Sequence, residues 1–80
     1  MDSINCTVNV SHDAEVDAAY IAFPGFENES FPTQVTVDHA RLKELGVDVI
    51  LDLTQDGCLA GIEILGATVL LNGRMLPKGQ

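Results

Sequence analysis

The pair Asp56-Gly57 and the two runs flanking it constrain this chain more than any other feature. Asp-Gly is a preferred pair for a two-residue type I′ turn, in which both central residues take positive φ. Drawn that way, the turn sets Leu53 opposite Ala60, Leu51 opposite Ile62 and Val49 opposite Ile64. Opposed residues point to the same side of a sheet, so one face of the hairpin is wholly apolar. The other face pairs Asp52 with Gly61, Ile50 with Glu63 and Asp48 with Leu65. A slip of one residue would mix the two sets. Turn chemistry and apolar alternation thus agree on one antiparallel hairpin across residues 47–66.

The rest of the chain reads as more of the same material. In residues 4–10, Ile4, Cys6, Val8 and Val10 alternate with Asn5, Thr7 and Asn9, as in a half-buried strand. A polar stretch at 11–17 predicts a loop, followed by a second strand from Ala18 to Phe23 that Pro24-Gly25 stops. Residues 24–33 predict a loop whose Phe26 and Phe31 fold back onto the core, and Gln34 to Val37 a short strand. At 39–45 a helix of about two turns is predicted, with Asp38 capping its start and Gly46 its end. Residues 67–76 carry two readings, a short helix from Ala67 or a tight hairpin at Asn72-Gly73. The β-branched Thr68 and Val69 favour the hairpin. The expected fold is mainly β (a β-rich α+β domain): an antiparallel meander of about five to six strands built from hairpins, with one short helix near 39–45. Residues 1–80 are read as a single small domain.

Charge removes several functions. Twelve acidic residues against four basic ones give a formal net charge of -8. Nucleic-acid binding and attraction to an anionic membrane both require clustered cations. Arg41, Lys43, Arg74 and Lys78 are few and split between two places. Neither partner is expected, whereas a basic protein would be drawn in by the field. No run reaches the roughly 20 apolar residues of a membrane span, and no signal-like h-region opens the chain. A cytoplasmic protein is therefore expected, with Cys6 and Cys58 reduced and buried and its three glycosylation sequons idle. A core drawn from so short a chain only just outweighs conformational entropy, so a homo-oligomer, most simply a dimer, is expected.

Candidate chemistry is thin. Asp13, Glu15 and Asp17 have the alternate spacing of a calcium loop, but the positions that require Gly and Glu hold Ala18 and Pro24. His12 reads as a surface residue in a turn. Asp48, Asp52 and Glu63 share one hairpin face and are the candidate acidic cluster, either a carboxylate site of a metal-dependent enzyme or a wetted sheet surface. Ile50 and Leu65 on that same face suggest cover by another element or a second copy, and they are the candidate self-association face. No catalytic residue, cofactor site or metal ligand set emerges from the residues, and the chain is read as not an enzyme.

Two segments carry a family resemblance. One is Asp13-Ala14-Glu15-Val16-Asp17-Ala18-Ala19-Tyr20-Ile21, an acidic loop running into a strand. The other is Asp56-Gly57-Cys58-Leu59-Ala60-Gly61-Ile62-Glu63-Ile64-Leu65, a hairpin end. Together they resemble a family of small bacterial proteins known as domain of unknown function 2283, over most of residues 4–67. The resemblance implies a compact β-rich domain and supplies no activity or catalytic residue. Residues 38–46 are longer than the family's usual connection, and the tail departs from its short C-terminal helix. The resemblance also implies frequent neighbourhood to small toxin-like or phage and mobile-element genes, which makes an antitoxin-like or phage/mobile-element accessory role with a basic protein partner one expectation. A non-catalytic, self-associating interaction module is the leading one.

Overall fold

The computed structural model describes residues 5–26, 30–71 and 76. Among these residues five strands form one antiparallel sheet: β1 (Asn9–Asp13), β2 (Ala18–Ala22), β3 (Thr33–Thr36), β4 (Asp48–Leu53) and β5 (Leu59–Leu65). The described residues also hold two short helices, α1 (Ala40–Leu45) between β3 and β4 and α2 (Ala67–Leu70) after β5. The strand order is β1-β2-β5-β4-β3, so the first hairpin docks beside the last strand and chain order is interrupted once. The fold is a mainly β, β-rich α+β one.

The β4–β5 hairpin pairs Asp48 with Leu65, Val49 with Ile64, Ile50 with Glu63, Leu51 with Ile62 and Asp52 with Gly61, in the expected register. Leu53, however, faces Leu59 and not Ala60. The cause is the turn. Asp17 is the one non-glycine residue with positive φ among those described, so Asp56 lacks the φ that a type I′ turn needs. Instead Gly57 alone is left-handed, at φ 87. Its N–H donates to the Thr54 carbonyl at 2.9 Å, and the Thr54 N–H donates to the Cys58 carbonyl at 2.8 Å. This is the three-residue loop in which a left-handed glycine follows a type I turn. The added loop residue shifts the register by one, and an irregularity at Asp52/Leu53 shifts it back.

The first hairpin differs from its expectation. Its first strand begins at Asn9 and runs to Asp13, and the link to β2 is a tight turn at 14–17. Ile4 lies outside the described residues, and Cys6 and Thr7 are exposed. Pairing decides the matter. Asn9 faces Ala22, Val10 faces Ile21, Ser11 faces Tyr20, His12 faces Ala19 and Asp13 faces Ala18. Alternation survives, with Val10 and His12 turned to the core side, but the polar residues of that stretch hid it.

Helix α1 fills the predicted span. Its cap is His39, whose Nδ1 accepts from the Arg41 N–H at 3.0 Å; Asp38 instead forms an ion pair with Lys43 at 2.9 Å. Gly46 takes the left-handed position at its end, as expected. Residues 67–70 are helical, against the hairpin reading, and Asn72-Gly73 lies outside the described residues.

Both helices cover one face of the sheet. Ala19, Val47, Ile64, Ala67 and Leu76 are buried together, with Ile21, Leu42, Leu45, Val49, Ile62 and Leu71 packed around them. This is the apolar hairpin face. Phe26 and Phe31 lie outside that cluster; with Tyr20 and Phe23 they line a separate hollow of about 410 Å³. Among the described residues, no helix is long and apolar enough to cross a membrane.

Candidate functional site: the open face of the sheet

The opposite face carries the sequence's candidate residues. Strand alternation places Tyr20 on β2, Gly61, Glu63 and Leu65 on β5, Asp48, Ile50 and Asp52 on β4, and Gln34 and Thr36 on β3 on this side. At its centre the Tyr20 hydroxyl donates to Asp52 Oδ2 at 2.7 Å, and Gln34 Nε2 donates to Asp52 Oδ1 at 2.9 Å. Asp52 is 6% exposed, so both carboxylate oxygens of a buried acid are satisfied.

Gly61 makes this arrangement possible. The Tyr20 side chain lies across it, and a Cβ there would overlap the hydroxyl and its ring carbon. A glycine inside a strand often marks such a close approach. Burial, the Asp52 carboxylate and the charge of Glu63 push the Tyr20 hydroxyl up to about 12. A phenol held protonated and aimed at a carboxylate donates a strong hydrogen bond and is a poor acid.

The acidic cluster is thereby divided. Asp52 is committed to Tyr20 and Gln34. Asp48 is exposed at the far end of β4, about 13 Å away at the rise of an extended strand. Glu63 sits between them, paired across the sheet with Ile50 and Tyr20. Among the described residues, no group of three or more His, Cys, Asp or Glu side chains is placed to hold a metal ion. Ile50 and Leu65 lie on this face as expected, both half-buried.

A second constellation was not anticipated. Asp17, at φ 54 in the first turn, accepts through its carboxylate from the Thr68 N–H at 3.1 Å and the Thr68 hydroxyl at 2.7 Å. Its main-chain carbonyl accepts from Gly66 at 2.9 Å and Ala67 at 3.0 Å. His12 Nε2 meets the same carboxylate at 2.9 Å. His12 is thus an inward strand residue, corrected from a surface turn, with its side chain 10% exposed. The hydrogen bonds from His12, then Thr68, hold the Asp17 carboxyl below the usual carboxylate range. Asp17 fastens the first turn to the start of α2. Cys6 and Cys58 are free and exposed, not buried.

These contacts join the two segments singled out in the sequence. Tyr20 faces Glu63 and Ala22 faces Gly61 on adjacent strands, so the acidic loop with its strand and the hairpin end form one unit. The family model for a protein of unknown function (DUF2283) matches residues 9–67, and the chain belongs to that family. Neither a curated protein nor a solved structure shows a match to the chain.

Proposed function

We propose that this member of the DUF2283 family is a non-catalytic protein-interaction module that associates with itself through the open face of its sheet. One observation carries the reading: among the described residues, both helices pack on one face and leave the other, with Ile50, Leu65 and the Tyr20 ring, without a helical cover. Ile50 and Leu65 are already half-buried. Covering each would therefore contribute only part of the roughly 1.5–3 kcal/mol of a full burial. A two-fold pairing brings each strip against its own copy. Asp13, Asp48 and Glu63 fall around the strip, so their repulsion makes assembly firmer in salt. The exposed thiols of Cys6 and Cys58 suit a reducing compartment, and we assign the module to the cytosol.

Light scattering tests the reading. Wild type at high micromolar concentration in moderate salt should be dimeric or larger, and Ile50→Asp should lower its mass with an unchanged circular dichroism spectrum. A monomeric wild type under those conditions overturns the reading.

A further inference from the structure

β3 is an edge strand, and all of its residues are exposed. One side of it pairs with β4. The direction of its other main-chain groups follows from the ladder. The Val37 N–H donates to the Val49 carbonyl at 2.9 Å, so alternation turns Val35 and Thr33 towards β4 as well. Gln34 and Thr36 therefore turn their N–H and C=O groups outward. Residues 33–37 hold no charge, in a chain whose net charge is -8. Val35 and Val37 are 42% and 37% exposed. The opposite edge, β1, carries the exposed Asp13, and charged side chains are a usual protection against strand pairing.

We propose that the β3 edge pairs antiparallel with the β3 edge of a second copy, with the two-fold axis at Val35. In this register Gln34 of one copy opposes Thr36 of the other, and these are the residues whose groups point outward. Thr33 opposes Val37, two β-branched side chains of similar shape. The strand therefore complements its own reverse, which commits the edge to a second copy. Moving the axis one residue either way brings in Pro32, which has no N–H, or the charged Asp38. The pairing rests on the reading of the chain as self-associating, but it uses a surface separate from Ile50 and Leu65. It joins two sheets into one of double width, as in other strand-addition contacts.

Cross-linking decides it. With Cys6→Ser and Cys58→Ser in place, Val35→Cys would set two thiols across a non-hydrogen-bonded pair. Cα atoms in such a pair lie about 4.5 Å apart, within disulfide reach. Oxidised glutathione should convert most of this variant to a covalent dimer. Val37→Cys, which faces Thr33, should stay uncross-linked. Thr36→Pro removes an outward N–H and leaves the β3–β4 ladder intact, so adding it should abolish the cross-link. Val35→Lys, which sets two charges at the axis, should lower the mass of an otherwise wild-type assembly by removing the edge contact alone, and it serves if Thr36→Pro fails to fold. Ile50→Asp should leave the cross-link in place. A protein dimeric by scattering that forms no cross-link at position 35 overturns the edge pairing and leaves the open-face reading standing. Cross-linking that ignores Thr36→Pro in a folded protein, or that Ile50→Asp abolishes, also overturns it. A purified protein that is monomeric throughout overturns both, leaving the edge to a strand of another protein.

Discussion

The two hairpins of this sheet close by different means. The β4–β5 turn is held by its own residues: Thr54 and Cys58 exchange bonds, Gly57 supplies the left-handed step, and the Thr54 hydroxyl accepts from the Cys58 N–H at 3.1 Å. The β1–β2 turn is held from far along the chain, by Asp17 reaching Gly66, Ala67 and Thr68. A turn of the first kind is written into a few adjacent residues. A turn of the second kind has a local bond as well, from the Glu15 N–H to Asp13 Oδ1 at 3.0 Å, but takes most of its fastening from distant residues, so its own residues look like any polar loop.

The difference can be broken at three points. Gly61, where the hairpins meet, should be the most sensitive. Gly61→Val drives a side chain into Tyr20 and displaces its bond to Asp52. Overpacking and a stranded buried acid together should cost about 3 kcal/mol or more in urea unfolding. Adding Tyr20→Ala should recover part of that loss, and a double-mutant cycle without coupling would count against the close approach.

Gly57→Val comes next. The space around Gly57 is open, so the cost is that of forcing a β-branched residue into positive φ, on the order of 1–3 kcal/mol. Gly57→Asn, which tolerates that region, should lose less. Amide exchange should quicken at Thr54 and Cys58 and leave Thr68 protected.

Asp17→Ala should have the smallest effect at neutral pH and the reverse exchange pattern, with Thr68 exposed and the β4–β5 turn untouched. Its acid signature separates it further. The hydrogen bonds from His12 and Thr68 hold the folded-state carboxyl below its ordinary value of 3.8. The stabilisation is therefore complete above the unfolded value and is lost as pH falls through the lower folded one. Melting temperatures measured between neutral and acid pH should converge for wild type and Asp17→Ala; a constant gap would deny the carboxylate its role.

The same contrast explains what the sequence could and could not convey. The pairs from Asp48–Leu65 to Asp52–Gly61 follow from alternation and a turn signal lying close together. The three-residue loop was missed because Asp-Gly serves both turn types, and only main-chain geometry separates them. β1 was displaced because His12 and Asp13 read as loop, although His12 is inward and satisfied by Asp17. On the open face, alternation placed Asp48, Ile50, Asp52, Glu63 and Leu65 together. It could not reveal that Asp52 belongs to Tyr20 and Gln34, since that depends on strand order. Gly61 within an apolar strand was the one available hint of a close approach.

The bond between Tyr20 and Asp52 also gives the protein an internal optical reporter. The chain has one tyrosine and no tryptophan, so its ultraviolet emission comes from a single ring. Excitation makes a phenol a far stronger acid, and a carboxylate 2.7 Å away is ready to take its proton and quench the light. Excited where tyrosine absorbs, the folded protein should accordingly be dimmer than the unfolded chain, a difference that an unfolding titration followed by emission checks. Every disturbance of the sheet's centre, from a substitution at Gly61 to a partner pressed against the open face, then becomes visible without a label.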